Sequence, residues 1–350
     1  MRALVLAGGE GSRLRPLTHT QAKQLIPVAG QPILFHALDA IRDAGITEVG
    51  IVIGHTGPEV RAAVGDGARW HLSVTYLEQE APLGLAHAVM TAADFVRGQP
   101  FLMYLGDNVL LEGVARFVSE FERTRPDAQI FVAQVAEPEH FGVVELEDGH
   151  AVRLVEKPRA FVSDLALVGV YLFDDSILEA CATLSPSWRG EYEITEAIQW
   201  LIDQGKTVRV EMLDGWWKDT GRPEDLLEAN RMLLAAAHGS AVGAPDGSDA
   251  DRVVVAPDAQ VSDSRLIGPV VIGPGCRIEG STIGPDVSLE AGCTVIDSTI
   301  RDSIVMQGCS ISGVESLERS ILGRNVEVRH AVGRHAHRLV VGDQSVVEVD

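Results

Sequence analysis

The chain has 350 residues, 46% of them apolar, and its 29 Lys and Arg face 50 Asp and Glu for a formal net charge of −21. That is enough chain for one large domain and a smaller one with a sizeable core, and the acidity argues against nucleic-acid polymers and anionic membranes as partners. No apolar run approaches a membrane span; the opening run is too short for a secretory leader; and Cys181, Cys276, Cys293 and Cys309 show no Cys-x-x-Cys spacing, so buried free thiols in a reducing cytoplasm are expected rather than a zinc site or a disulfide framework.

Residues 2–6 form an apolar run that reads as a buried strand. Gly8, Gly9 and Gly11 follow, where backbone can lie against a ligand and its N–H groups can cradle phosphate oxygens. Arg13, Arg15 and Lys23 then concentrate positive charge in one short stretch of an acidic chain. Arg13 and Leu14 stand where a dinucleotide fingerprint needs its third glycine, and no Gly-Lys-Ser/Thr follows, so neither common phosphate-loop motif applies.

Further on, residues 32–44 carry Ile33, Leu34, Ala37, Leu38 and Ile41 at helical spacing with Gly45 as a stop. Residues 49–53, 74–77 and 101–105 read as strands and 86–96 as a helix. This alternation predicts an α/β fold with a largely parallel sheet, whose ligands gather beyond the strands' C-terminal ends. Asp107 and Asn108 stand directly after one such strand; Asp219 follows the run 208–213 and the pair Trp216-Trp217. Residues 128–173 are rich in strand-like runs that could extend the sheet over one side of a pocket, and 189–195 leads into a helix ending near Gln204-Gly205.

Composition shifts to Ala, Gly, Ser, Asp and Pro around 239–252, as in a linker. Beyond it the period changes to steps of five or six: Val255, Val261, Ile267, Ile272, Ile278, Ile283, Leu289, Val295, Ile300, Val305, Ile311, Leu317, Leu322, Val328. One aliphatic residue per flat side is the hexapeptide signature of a β-helix, which buries its apolar column by stacking coils.

The stretch Leu-Ala-Gly-Gly-Glu-Gly-Ser-Arg-Leu-Arg-Pro-Leu-Thr followed by Ala-Lys-Gln-Leu-Ile-Pro-Val resembles the opening of the sugar-1-phosphate nucleotidylyltransferases, and its Lys-Gln-Leu-Ile-Pro form resembles the glucose-1-phosphate thymidylyltransferases. The resemblance covers roughly residues 1–235. With the periodic tail, it is similar to the long forms of antibiotic deoxysugar pathways. It implies a Rossmann-like, mixed but mainly parallel sheet in a nucleotidyltransferase domain over 1–238, a linker over 239–252, and a left-handed parallel β-helix with a C-terminal extension over 253–350. It also implies that Arg13 and Lys23 handle phosphates and that Asp107 and Asp219 hold Mg²⁺. Leu6, Gly8, Gly9, Gly11, Ser12, Gln79, Pro82, Gly84 and Leu85 would meet the nucleotide. Asn108, Gly142, Glu156, Lys157, Val168, Gly169, Tyr171, Glu191 and Trp217 would line the sugar-phosphate pocket. Val155, Leu83 and Glu196 depart from residues frequent in relatives.

The chemistry suits these types. Two polyanions repel, so transfer depends on positioning and charge neutralisation. Paired aspartates suit Mg²⁺, which takes one or two carboxylates plus phosphate oxygens and water. Gln79 can match a pyrimidine's imide edge, Glu156 can accept from sugar hydroxyls and Lys157 can bind a phosphate; taken singly, each is also an ordinary surface residue. The expected reaction joins dTTP to α-D-glucose 1-phosphate with release of pyrophosphate by in-line displacement at the α-phosphorus. UTP or another sugar 1-phosphate is the alternative pair. A hexapeptide acyltransferase is disfavoured because residues 253–328 contain no histidine base. A nucleotide-sugar sensor without activity is disfavoured because all four charged site residues are present. A homo-oligomer is expected, because an exposed solenoid face commonly packs on another subunit.

Overall fold

A computed structural model describes residues 1–239, 252–330 and 339–349. These form two compact units: Met1–Glu10 with Leu34–Asp219, and Gly11–Ile33 with the chain from Thr220 onward. The chain thus enters the second unit twice. The linker expected over 239–252 lies, apart from its two end residues, outside the described residues.

The first unit is built on a nine-stranded mixed sheet. Strands Ser73–Glu78, Glu48–Ile53, Arg2–Ala7 and Phe101–Leu105 run parallel in that spatial order. Arg2–Ala7 is buried after its first residue, as its unbroken apolar run predicts for a strand covered on both faces. Leu165–Phe173 runs antiparallel to Phe101–Leu105. Near its start the same strand pairs with Gly142–Glu147 through Ala166 and Val143. The register against Ala128–Gln134 breaks between Leu167 and Tyr171, so Val168 and Gly169 lie where the strand changes partners. His150–Glu156 and Val208–Met212 complete the sheet. The expected extension by residues 128–173 therefore joins the main sheet rather than forming a separate layer. The helix expected over 86–96 is two pieces, Leu85–Thr91 and Ala93–Val96, broken at Ala92.

The C-terminal ends of the parallel strands gather the segments that matter: Gly8 and Gly9 after the first, Gln79 after the third, Gly106-Asp107 after the fourth. A separate ribbon, Asn108–Leu110 against Trp217–Asp219, is antiparallel.

In the second unit, three stacks of short parallel strands make a left-handed parallel β-helix. Its inward column runs from Ile272 through Ile278, Ile283, Leu289, Val295, Ile300, Val305, Ile311, Leu317 and Leu322 to Val328, all buried. Cys276, Cys293 and Cys309 lie in the same core as free thiols, each donating to a backbone carbonyl 13 or 14 residues later. Val255 and Val261, the first members of the expected column, are 37% and 38% exposed, because their coil has a neighbour on one side only. One stack is also buried on its outward side: Ser288, Ile304 and Ile321 stand opposite one another in register and are no more than 1% exposed. Helix Pro223–Gly239 packs on the strands that carry Ser288 and Ile304 and on the short strand Pro27–Val28. Ile304, so covered, contributes about 1.5–3 kcal/mol.

Candidate active site

In the first unit, the ribbon decides the acidic part of the site. Its register sets Asp219 directly across from Asn108, the neighbour of Asp107. Asn108 is 2% exposed; its Nδ2 donates to Asp107 Oδ1 at 3.0 Å, and its Oδ1 accepts from Trp217 Nε1 at 2.6 Å. The Asn108 side chain rests on Gly169, where an added Cβ would lie 2.6 Å from it. The amide thus orients one carboxylate while the ribbon delivers the second. Among the described residues no group of three His, Cys, Asp or Glu is gathered for a metal. One or two carboxylates are what Mg²⁺ usually takes from a protein, the rest of its shell coming from phosphate and water.

Tyr171 lies between this corner and Glu156, whose charge it feels along with that of Asp219. It is 3% exposed and stacks on Phe173 at 5.8 Å. Burial first, then the negative charges of Glu156 and Asp219, hold its phenol un-ionised far above the usual range, so it acts as a neutral hydroxyl. Glu156 ends strand His150–Glu156 and receives Thr195 Oγ1 at 3.3 Å. Burial and the neighbouring Glu193 raise its pKa, against the opposing pull of Lys157 and Arg189. Lys157 Nζ is 3.9 Å and Arg189 Nη1 3.5 Å from Glu156 Oε1. Gly142 adjoins both Glu156 and Thr195, and Val168 is buried beside Gly169. Trp217 also meets Phe141 edge-on at 5.7 Å.

Arg189 is the residue that sequence reasoning passed over. Besides Glu156 it binds Glu191 at 2.8 Å and Glu193 at 3.2 Å. A guanidinium shared by three carboxylates holds those carboxylates, Glu156 among them, in place through charge-assisted hydrogen bonds. The signal in the sequence was the pair of glutamates, Glu191 and Glu193, two and four residues after it.

At the end of strand Ser73–Glu78, Gln79 Nε2 contacts Gly84 O at 3.2 Å and His87 Nδ1 at 2.9 Å. Its donor is therefore engaged, and Oε1, 3.6 Å from where a Gly8 Cβ would stand, is the end left towards the glycine loop. Gly84 has φ +101, and a Cβ there would lie 2.5 Å from Tyr192 O. The loop is further sewn to that residue by Tyr192 N to Leu83 O at 2.7 Å and Ala86 N to Tyr192 O at 3.0 Å. Pro82 lies within this loop and Leu85 opens helix Leu85–Thr91. Leu6 is 8% exposed at the end of its strand, next to Gly8 and Gly9.

The remaining expected residues lie in the second unit. Gly11, at φ +63, caps the turn Ser12–Leu14. Its missing Cβ leaves room for Lys23 Cβ and Thr18 Cγ2, each 2.9 Å from that point, and Thr18 Oγ1 donates to Gly11 O at 2.7 Å. Lys23 thus stacks on the glycine turn that precedes Arg13. Gln24, beside it, is 1% exposed with Oε1 lacking a hydrogen-bond partner. That orphaned acceptor adds Gln24 to the candidates, and its place in Lys-Gln-Leu-Ile-Pro was the cue.

A mainly parallel sheet with a glycine loop after its first strand and aspartates near its strand ends is the architecture expected of a nucleotide-transferring class. The Nucleotidyl transferase family model matches residues 2–236, and the chain belongs to that family, whose enzymes are generally metal-dependent. A glucose-1-phosphate thymidylyltransferase of Streptomyces griseus is 52% identical over 100% of this chain and 99% of its own length. One from Streptomyces antibioticus is 49% identical with the same coverage. A solved Bacillus anthracis structure assigned to the same activity, in complex with sucrose, is 33% identical, with a TM-score of 0.63 over 67% of this chain and 95% of that one.

Proposed function

We infer that this chain transfers a thymidylyl group from dTTP to α-D-glucose 1-phosphate, giving dTDP-glucose and pyrophosphate. The observation that carries the reading is the likeness along the whole chain to the two Streptomyces thymidylyltransferases. The cross-strand neighbourhood of Asp219 and Asn108 supports it from the chemistry.

In this reading Asp107 and Asp219 hold Mg²⁺, which supplies charge neutralisation on the phosphates. Asn108 keeps Asp107 aimed. Arg13 draws charge towards the departing pyrophosphate, and Lys23 stabilises the α-phosphate as its bond is exchanged. The backbone of Leu6, Gly8, Gly9, Gly11 and Ser12 binds nucleoside and phosphates. Gln79 Oε1 accepts the pyrimidine N3–H, with Pro82, Gly84 and Leu85 forming the base's surroundings. Glu156 accepts from sugar hydroxyls, Lys157 binds the sugar's phosphate, and Gly142, Val168, Gly169, Tyr171, Glu191 and Trp217 shape that pocket. No general base is required, because the attacking phosphate oxygen is already ionised. A cytoplasmic enzyme assembled from several copies belongs to the same reading, and sedimentation velocity tests the assembly.

The decisive experiment is a pyrophosphate-release matrix of nucleoside triphosphates against sugar 1-phosphates. Uracil lacks only thymine's methyl, worth about 1–3 kcal/mol, so UTP should work roughly ten- to two-hundredfold less well than dTTP. Equal or better use of UTP refutes the thymidylyl assignment. Release with no sugar phosphate in the matrix refutes the transfer itself.

A further inference from the structure

The stretch Gly11–Ile33 carries Arg13 and Lys23 but little regular structure: three single turns and a hairpin of two-residue strands. Such a segment takes its geometry from what it rests on. Within the second unit it rests on the buried outward face of one stack of the β-helix and on helix Pro223–Gly239.

The fixings flank Lys23 on both sides. Before it, Thr20 Oγ1 donates to Asp343 Oδ2 at 2.8 Å, Gln21 Nε2 meets the buried Met306 Sδ at 3.3 Å, and Pro16 lies against Gly342. After it, the hairpin is held by Asn230, which is fully buried. Asn230 Oδ1 accepts from Ala29 N at 2.8 Å and Ser288 Oγ at 2.6 Å, and Nδ2 donates to Asp286 O at 3.1 Å. One amide therefore ties hairpin, helix and solenoid coil together. Gly30 sits so close to the next coil that a Cβ would lie 2.9 Å from Val271 Cγ1.

We propose that the solenoid is the mount of the phosphate-handling stretch, and that Asn230 is a positioning residue for Lys23, acting through the hairpin at Ala29. This rests on the function proposed above, in which Lys23 and Arg13 act on the phosphates. A group that stabilises a transition state must be held to within about 0.5 Å, and a misplacement of about 1 Å costs on the order of a hundredfold in rate. A cation on an irregular segment meets that demand only if the segment is pinned, and the pins found here come from the β-helix and its bracing helix. The two Streptomyces relatives carry a comparable full length, whereas the shorter Bacillus anthracis chain matches only 67% of this one. A short chain must brace the corresponding loop by other contacts.

The test uses the full-length chain with Mg²⁺ and compares wild type with Asn230→Ala, Thr20→Val and Ser288→Ala. Hydrogen exchange followed by mass spectrometry reads the mount directly, and steady-state kinetics read the positioning. Asn230→Ala should speed exchange at least tenfold in peptides covering 25–33 and leave strands Arg2–Ala7 and Phe101–Leu105 unchanged. It should lower kcat at least tenfold while the KM for glucose 1-phosphate moves less than twofold, since Glu156 and Lys157 belong to the other unit. Thr20→Val, an exposed change, and Ser288→Ala should each give a two- to fivefold version of the same pattern. Unaltered exchange across 11–33 in the folded variants overturns the mount. Faster exchange with unchanged kcat overturns the positioning role. If Asn230→Ala does not fold, the two milder variants decide on the same criteria. Lys23→Ala and Arg13→Ala controls that keep full kcat would instead remove the underlying reading, and the exchange data would still judge the mount.

Discussion

Asp107 and Asp219 are more than a hundred positions apart in the chain, yet the ribbon pairs Asp219 with Asn108, the residue that follows Asp107. The proposed metal role makes Asp107→Asn and Asp219→Asn each lower kcat by at least a hundredfold, with thermal stability little changed. Near-normal turnover in both, at saturating Mg²⁺, would remove the metal assignment. Glu156 offers a prediction of opposite character. Burial, then Glu193, lifts its pKa above the ordinary 4.5, so its ionised form costs the native state stability. That cost is absent at pH below about 4.5, where the group is neutral folded and unfolded alike, and grows as pH rises through the raised folded value. Glu156→Gln should therefore melt higher than wild type at pH 8, the gap closing as pH falls towards 4.5, while its KM for the sugar phosphate rises at least tenfold. A melting gap that does not depend on pH would contradict the assigned cause. Single residues were picked out in two ways: Asp107 and Asp219 from the rule for ligands in open α/β sheets, and Gln79 from the resemblance alone. Arg189 and Gln24 were not, because their evidence is a three-carboxylate shell and an orphaned amide oxygen, both products of folding.

At the scale of elements, the loop before helix Leu85–Thr91, proposed to surround the base, is fixed by close backbone packing. Gly84 at φ +101 passes so near Tyr192 that no side chain fits. Gly84→Ala should lose about 1–3 kcal/mol from backbone strain and displace Gln79, whose Nε2 donates to the Gly84 carbonyl. Urea unfolding should show the loss, and the KM for dTTP should rise several-fold with that for glucose 1-phosphate nearly constant. Equal rises in both would mean the loop supports the fold generally rather than the base. The same scale marks what patterns reveal. Strict six- and five-residue steps exposed the inward column of the solenoid, since only a residue facing the axis must repeat so regularly. The outward row of Ser288, Ile304 and Ile321 was missed because its meaning depends on a partner, helix Pro223–Gly239, from a distant part of the chain. The break at Ala92 and the strand Trp217–Asp219 were missed for the same reason: local propensity does not encode a long-range pairing.

For the whole molecule, charge is the property that length and composition fix and that substrates must overcome. A body of net charge −21 repels a triphosphate at distances where the field of all its charges sums. The proposed cations, Arg13 and Lys23, act only at close range. Salt separates the two contributions, because the screening length falls from about 30 Å at 0.01 M to about 8 Å at 0.15 M and about 3 Å at 1 M. At fixed free Mg²⁺, kcat/KM for dTTP should therefore rise severalfold from 0.01 M to about 0.15 M, as the distant acidic surface is screened first. It should then fall towards 1 M, as attraction by the local cations is screened in turn. In Arg13→Ala the falling limb should flatten while the rising limb persists. A monotonic decline from the lowest salt in the wild type would mean that local attraction governs encounter at every distance and that the acidic body exerts no net repulsion.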